Sequence, residues 1–383
     1  MINKDPAHSR AEELFFELLK AAIWNQKPDV SLFSKIENKV WNRILWLAKQ
    51  QGVPAMIADR LLLLPIDYLP SYNCFANQMR TIKNCSQMNS QMTQTLDFIL
   101  KSYSKLRIPA ILLKGLGNAQ AYPFPELRIP GDIDLFLFQN NDYDKANQWV
   151  KDQGYTYHVD PVDVHRAFDL EYIRIENHKN ITFFPIERYN TRLNKLLEAI
   201  DLNSNFEELS IEGVKVKTLP PDINALYIFQ HLFFHFIHEG VGLRQIIDWV
   251  LHLAKYHDKI DPKEFTTLAK SFNLLYPMQV FAETTIQFLG APRNIFPFPI
   301  RNKSRYPEKI IRDIMSGGEF GFHHPVRKKI KNESRWKGWW RRYKRIIGRT
   351  LLFHRISPSY FWSVPIHYFE VRVKKMLKIG KYR

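Results

Sequence analysis

The sequence has little cysteine and no long apolar run. Cys74 and Cys85 are its only cysteines, with neither the spacing of a zinc site nor the number for a disulfide framework, so we expect a reducing compartment. The nearest approach to a membrane span, residues 225–237, is too short and is interrupted by Gln230, His231 and His235. The first residues lack the basic and then apolar pattern of a signal peptide. These absences predict a soluble, cytoplasmic protein that could still associate with a membrane surface.

Positive charge is concentrated at one end of the chain. Residues 301–383 carry 23 Lys and Arg against 5 Asp and Glu, whereas the other 300 residues carry 32 and 33. We call residues 319–383 the basic tail, and within it residues 327–349 hold 11 Lys and Arg and one Glu. Aromatic side chains are interleaved with these cations: Trp336, Trp339, Trp340 and Tyr343. Three interpretations stay open for the basic tail, namely a solvated extension, a membrane-surface helix and a nucleic-acid contact.

The spacing of apolar residues predicts an α+β fold. A helical N-terminal region is expected over residues 1–104, ending in a long helix from about residue 73. Strands and helices then alternate over residues 105–219, which we expect to form a small mixed sheet with flanking helices. A helical C-terminal domain over residues 220–318 precedes the basic tail. The helices expected in it lie near 221–238, 241–256, 263–271 and 275–289. The strands expected before it lie near 110–113, 155–159 and 170–178, followed by a hairpin over 206–218 that turns at Glu212-Gly213.

Two aspartates stand at the head of an apolar strand. Asp132 and Asp134 flank Ile133, and the apolar residues 135–138 follow. Because alternate side chains of a strand point to the same face, the two carboxylates repel each other unless a cation lies between them. A hard cation such as Mg²⁺ suits them best. An Asp-x-Asp pair is also common as solvated charge at a strand end, so its neighbours must decide between the two readings.

Neighbouring residues favour a metal site. Lys114 and Gly115 end the preceding strand and open a helix, so backbone N–H groups there could approach a phosphate. A third acid, Glu176, lies on a later predicted strand, and three carboxylates on adjacent strands can hold two Mg²⁺ ions. Glu171 and Glu187 are the competing candidates for the third position.

These residues resemble those of a known family, the bacterial uncharacterised nucleotidyltransferase family of the DNA polymerase beta-like nucleotidyltransferase superfamily. The likeness covers roughly residues 35–290 and includes Glu176 followed two residues on by His178, and the helical stretch 224–249. Four further features occur in the family's order: Lys114-Gly115, Tyr122-Pro123, Arg128, and Gly131-Asp132-Ile133-Asp134.

The resemblance implies a Mg²⁺- or Mn²⁺-dependent enzyme that moves NMP from an NTP such as ATP to a hydroxyl acceptor that it does not identify. Asp132, Asp134 and Glu176 would be both metal ligands and catalytic residues, with Glu176 as a candidate base. One ion would activate the attacking hydroxyl and the other would neutralise the pyrophosphate. Nucleotide contacts would come from four residues: Lys114, Gly115, Arg128 and Gly131.

A second interpretation is a non-catalytic protein. The wider superfamily has Gly-Ser at the phosphate turn, whereas Lys114-Gly115-Leu116 stands here, so the serine contact is absent. In this case the core would bind a nucleotide or a partner, and the basic tail would dock on a membrane or nucleic acid. Independently of this choice, Lys114 and Arg128 could be ordinary surface cations.

Three histidines and one charged pair complete the candidates. His231, His235 and His238 share one face of a predicted helix, but the surrounding phenylalanines and the lack of a His-Glu-x-x-His arrangement disfavour a metal site. His231 or His235 could instead line a cleft opposite the carboxylates. Arg244 and Asp248 are expected to form a structural i, i+4 pair.

Overall fold

The computed structural model describes residues 6–139, 141–159, 165–200, 206–300, 305–321 and 334–377. All the candidate site residues and most predicted elements therefore fall in the described part of the chain. Residues 327–333, where the cation-rich stretch of the basic tail begins, lie outside the described residues.

Helices precede the sheet, as the sequence predicts. On α1, the side chains of Leu14, Phe15 and Leu18 are completely buried, in keeping with their helical spacing. The indole N–H of Trp24, just after α1, donates a hydrogen bond of 2.6 Å to the carbonyl of Leu289. The N-terminal helices therefore pack on the helices that end the family-like region. Their bounds are α1 (Pro6–Ile23), α2 (Asn38–Gln50), α3 (Pro54–Leu61) and α4 (Tyr72–Lys105).

A mixed sheet follows, with strand order β3-β4-β5-β2-β1-β7-β6. The pairs β2–β5 and β1–β7 are parallel, and the others are antiparallel. In the β2–β5 pair Asp134 lies opposite Glu176, so the register brings two of the three predicted carboxylates side by side. The strands are β1 (Ile111–Leu112), β2 (Ile133–Phe136), β3 (Tyr157–Val159), β4 (His165–Leu170), β5 (Ile173–His178), β6 (Glu207–Ile211) and β7 (Val214–Thr218).

Two apolar clusters hold the sheet in place. One lies between α4, the sheet and the helix α6 (Asp142–Asp152), and it contains Tyr103, Leu135 and Phe168. The other is larger and joins the N-terminal helices to the helices that follow residue 220. The helices that interrupt the strands are α5 (Leu116–Ala119), α6 (Asp142–Asp152) and α7 (Glu187–Glu198).

The C-terminal helices form the second helical layer. The four helices expected over residues 221–289 are confirmed to within two residues at each end, and Pro221 opens the first of them. This layer comprises α8 (Pro221–His238), α9 (Leu243–Tyr256), α10 (Pro262–Ser271), α11 (Leu275–Leu289) and α12 (Pro307–Gly317). The four-part domain division stays a prediction, while the shared apolar cluster ties the first and third parts together.

The basic tail contains a helical hairpin of α13 (Arg335–Leu352) and α14 (Pro358–Leu377). Arg349 fixes α13 to the rest of the protein because its guanidinium lies 2.7 Å from Asp313 on α12 and donates to the carbonyl of Phe236 on α8. On α14, the hydroxyl of Tyr360 donates a 2.6 Å hydrogen bond to Gln230. None of the helices in the described ranges combines the length and the apolar character needed to cross a bilayer.

The α+β class is confirmed, but one strand boundary is wrong. Residues 170–178 do not form a single strand, since Leu170 ends β4 and the chain turns before β5 begins at Ile173. Glu171 makes this turn in the left-handed region, with φ of 55°. The strand β4 and the helix α7 were not predicted, because the few apolar residues of each stand among charged and polar ones.

Candidate active site

Three carboxylates converge at one end of the β2–β5 pair. Asp132 immediately precedes β2, Asp134 lies within it, and Glu176 lies on β5. One oxygen from each of the three lies within 4.8 Å of the others. Glu171 is exposed in the β4–β5 turn and Glu187 is exposed at the start of α7, and neither belongs to this group. The geometry thus favours Glu176 over both competitors, while the catalytic role of the three stays a prediction.

Cationic side chains contact the same carboxylates. The Nζ of Lys114 lies 3.3 Å from Oδ1 of Asp134. The Nε2 of His178 lies 2.8 Å from that oxygen and 3.3 Å from Oε2 of Glu176. A second histidine, His165 on β4, places Nε2 3.5 Å from Oε1 of Glu176. Part of the negative charge is therefore balanced by the chain itself.

These contacts shift the pKa values so that the charged form of each group is favoured. Burial opposes the charged form of Lys114, but Asp134 and Asp132 raise its pKa well above the ordinary value. Burial likewise opposes charge on His178, but its hydrogen bonds to Asp134 and Glu176 raise its pKa to about 9. Burial opposes charge on Glu176 as well, but the hydrogen bond from His178 and the positive charges of Lys114 and His165 together lower its pKa. Near neutral pH the cluster therefore contains two cations and ionised carboxylate.

The residues fit a divalent cation. Asp134 is 1% exposed, and its Oδ2 is buried without a hydrogen-bond partner among the described residues. A buried carboxylate oxygen with no donor is costly, and a cation is the partner that would satisfy it. Three carboxylates form an all-oxygen ligand set, which suits hard ions such as Mg²⁺ or Mn²⁺. His165, Glu176 and His178 form an overlapping group with the same 4.8 Å spacing, so Glu176 belongs to both.

The turn before the site requires a glycine. Gly115 has φ of 65°, and a Cβ at this position would lie 3.1 Å from the backbone oxygen of Asp132. The turn therefore sets how closely the Lys114 segment approaches the carboxylate strand. The helix that follows, α5, ends at Ala119 and makes little more than one turn. Gly131 has ordinary backbone angles and open space around it.

Arg128 lies beside the carboxylates but is engaged elsewhere. Its Nε and Nη2 donate to the two oxygens of Asp248 at 2.7 and 2.8 Å, and its Nη1 donates to the carbonyl of Ile129. Tyr122 donates a further 2.6 Å hydrogen bond to Asp248. Although burial acts in the opposite direction, Arg128 keeps the pKa of the Asp248 carboxyl low. These bonds use three of the five N–H donors of Arg128, so a triphosphate contact would have to come from the other two, and that assignment stays a prediction.

The expected Arg244–Asp248 pair is wrong. Arg244 instead lies 2.7 Å from Glu319 through Nε and donates through Nη1 to the carbonyl of Ile129 at 2.8 Å. Asp248 is instead paired with Arg128, which stands in the loop after Tyr122. Spacing along one helix could not reveal this, because the competing partner is 120 residues away in sequence.

Two of the three carboxylates, those of Asp132 and Glu176, line a cavity of about 430 Å³. This volume is within the range of small-molecule sites. All four predicted nucleotide-binding residues line it. Further lining residues come from α8 and from α14, which contributes His367. The predicted residues on its wall are Lys114, Gly115, Arg128 and Gly131.

Two histidines of α8 face this cavity, as one of the sequence interpretations expects. His231 and His235 both line it, with ring centroids 4.5 Å apart. Burial lowers the pKa of His231 well below its ordinary value and that of His235 to about 3, so both are neutral. His238 does not line this cavity, and its Nδ1 lies 3.0 Å from the carbonyl of Phe234.

Several residues of the site were missed from the sequence. His165 stands on the unpredicted strand β4, and Tyr227 and His367 reach the cavity from helices far away along the chain. Only His178 carried a local signal, through its spacing from Glu176. The others depend on long-range packing that spacing does not encode.

Comparison with known proteins gives one result at the family level. No curated protein and no solved structure is significantly similar to the chain. The model of the family described as uncharacterised nucleotidyltransferase matches residues 37–290, which is well over half of the chain and contains every carboxylate of the site. This span agrees with the resemblance read from the motifs. The chain belongs to the uncharacterised nucleotidyltransferase family.

Proposed function

We propose that the protein transfers a nucleoside monophosphate from an NTP to a hydroxyl acceptor, using Mg²⁺ or Mn²⁺ held by Asp132, Asp134 and Glu176. The observation that carries the proposal is the convergence of these three carboxylates within 4.8 Å, with Asp132 and Glu176 on the wall of a 430 Å³ cavity. The family match supports nucleotidyl transfer in general. The metal, the nucleotide and the acceptor are parts of the proposal.

The residues of the site have separate roles in this proposal. Asp134 and Glu176 are fixed by strand pairing, so their oxygens are held in place before any ligand arrives. Lys114 supplies a buried positive charge beside them, which suits the negative charge of a triphosphate. Glu176 would also accept the proton of the acceptor hydroxyl. A bound divalent cation would neutralise phosphate charge and lower the pKa of the attacking hydroxyl.

The α8 wall is the proposed acceptor side. Neutral His231 and His235 offer ring nitrogens as hydrogen-bond partners without repelling a cation at the carboxylates. Phe183, Phe234 and His367 add aromatic surface to the same cavity. An acceptor with a hydroxyl group and an apolar or ring-containing body fits such a lining.

A second candidate function, nucleotide binding without transfer, is favoured by the two cationic contacts of Asp134. Oδ1 of Asp134 already contacts both His178 and Lys114, so the chain partly supplies its own countercharge. The serine of the superfamily's phosphate turn is also replaced by Leu116. Under this candidate the cavity holds an NTP and no covalent product forms.

Incubation with radiolabelled NTPs, Mg²⁺ or Mn²⁺ and a cell extract separates the two candidates. Transfer predicts label on an acceptor, loss of labelling with Asp134→Asn, and retention with Asp169→Asn. Asp169 is a matched control because it is a half-exposed carboxylate on the same sheet, paired with Arg174. Nucleotide binding without any labelled product would favour the second candidate. Labelling that survives Asp134→Asn would contradict the proposed role of the carboxylates.

A further inference from the structure

The hairpin of α13 and α14 exposes apolar side chains in stripes. On α14, Trp362, Ile366 and Phe369 recur at helical spacing and are 67%, 54% and 45% exposed. On α13, Trp336, Trp340 and Leu351 recur on one side and are also exposed. Large apolar residues grouped on one surface mark a site of interaction more often than single exposed ones do.

The opposite sides of both helices are firmly packed on the protein. Val364 is completely buried, and Tyr360 is buried with its hydroxyl bonded to Gln230. Trp339 is buried and stacks on Tyr343 and Tyr368, which joins α13 to α14. The exposed stripes therefore belong to a hairpin whose other side is anchored on the protein.

Cations flank the apolar stripe of α13. Lys337, Arg342 and Lys344 are exposed on this helix. Over the described residues 334–377 the sequence contains 11 Lys and Arg and a single acid, Glu370. The hairpin thus combines an outward apolar surface with strong positive charge, and its partner should be apolar and anionic.

We propose that the α13–α14 hairpin docks on an anionic lipid surface. Tryptophan and phenylalanine suit the headgroup region, and flanking Lys and Arg are attracted to anionic lipid. Nucleic acid would use the cations and the aromatic rings, but the exposed aliphatic residues Leu351, Leu352 and Ile366 offer no stacking surface. The aliphatic residues of this surface therefore favour lipid over nucleic acid as the partner.

Docking in this way would bring the candidate active site close to the lipid. His367 of α14 lines the cavity and its ring lies 4.7 Å from that of Phe183, while the neighbouring Ile366 is on the exposed stripe. The cavity wall and the docking surface are thus separated by a single helix, about 10 Å across. The inference does not depend on nucleotidyl transfer.

Co-sedimentation of the full-length protein with phosphatidylcholine vesicles, with and without phosphatidylglycerol, tests the proposal. We expect binding to the anionic vesicles only. Trp362→Ser with Ile366→Ser should weaken it at least about tenfold, and so should Lys337→Gln with Arg342→Gln and Lys344→Gln, because each cation near an anionic surface contributes strongly. The matched control is Ile66→Ser with Tyr72→Ser, two strongly exposed residues outside the hairpin, which should bind as the wild type does.

Thermal unfolding midpoints equal to that of the wild type would establish that the variants are folded. Equal binding to neutral and anionic vesicles, or wild-type binding by the Trp362→Ser, Ile366→Ser variant, would overturn the proposal. Binding to a single-stranded RNA oligonucleotide without binding to vesicles would overturn it in favour of nucleic acid. Transfer assays in vesicle-free buffer report on the active site separately.

Discussion

At the scale of single residues, the Arg128–Asp248 pair shows how the region around the site is held. Both side chains are buried, and Asp248 also accepts from Tyr122. Removing one partner of a buried ion pair leaves an uncompensated charge and costs about 3–5 kcal/mol. We therefore expect Asp248→Asn to lower the free energy of unfolding by about that amount, as measured by urea denaturation.

The matched control is the half-exposed Arg174–Asp169 pair. Breaking it with Asp169→Asn should lower the free energy of unfolding by about 1 kcal/mol or less. Equal effects of the two substitutions would contradict this account.

His252 should make stability depend on pH. It is buried and its Nε2–H donates to the carbonyl of Pro221 at 2.8 Å, with Lys255 and Glu207 as the nearby charges. Burial is the main cause that lowers its pKa from 6.5 to about 4. Between these two pH values the unfolded chain binds the extra proton, so stability falls as pH falls from 6.5 towards 4. From pH 7 to pH 5, His252 should account for about 2 kcal/mol of lost stability.

The measurement compares the wild type with His252→Gln by urea denaturation at both pH values. The variant should lose about 2 kcal/mol less than the wild type on acidification. His231, His235 and His238 also have lowered pKa values, so the wild type should lose more in total than His252 alone explains. Parallel losses in the two proteins would show that His252 titrates normally in the folded state.

At the scale of elements, the turn between β1 and α5 sets the position of the carboxylate strand. Gly115→Ala forces a side chain into the left-handed region and against the oxygen of Asp132. We expect a loss of at least about 1 kcal/mol in stability and weaker metal-dependent NTP binding by calorimetry. Gly117→Ala is the matched control, because its Cβ would make only ordinary contacts, beginning at 3.5 Å. Unchanged binding in Gly115→Ala would contradict a positioning role for this turn.

Elements with a strong local pattern were predictable from the sequence. The helix α8 has a proline start and a dense apolar repeat, and the β6–β7 hairpin turns at Glu212 and Gly213 as expected. By contrast, β4 is recognisable only once it pairs with β5, because just two of its side chains are buried. The helices of the basic tail were left undefined, since their inner faces are specified by contacts with α8 and α12.

The same distinction applies to the site. Asp132 and Asp134 could be predicted as site residues from strand alternation, and Glu176 from its spacing to His178. The partner of Asp248 could not be predicted, because helix spacing suggested Arg244, whereas in the folded protein Arg128 forms the ion pair. His165 and His367 reach the cluster and the cavity from segments that are distant in sequence. Residues whose role is set by their own element could be predicted, and residues recruited across the fold could not.

At the scale of the whole molecule, the N-terminal helix is part of the same core as the family region. Phe15 is fully buried and belongs to the apolar cluster that also contains α8, α9 and α11 residues. Phe15→Ala should lower the free energy of unfolding by about 3–5 kcal/mol and shift one cooperative thermal transition. Leu62→Ala, at an exposed position, should have little effect. A second transition that alone responds to Phe15→Ala would show that the N-terminal helices unfold as a separate domain.

The central claim is that Asp132, Asp134 and Glu176 together bind a divalent cation beside a nucleotide. Its most direct test is a crystal structure with Mn²⁺ and a non-hydrolysable NTP analogue, in which anomalous scattering locates the metal. The account predicts an anomalous peak within coordination distance of all three carboxylates, with the triphosphate next to Lys114. A bound analogue with Mn²⁺ elsewhere, or no metal peak with Asp134 still paired to His178 and Lys114, would contradict it.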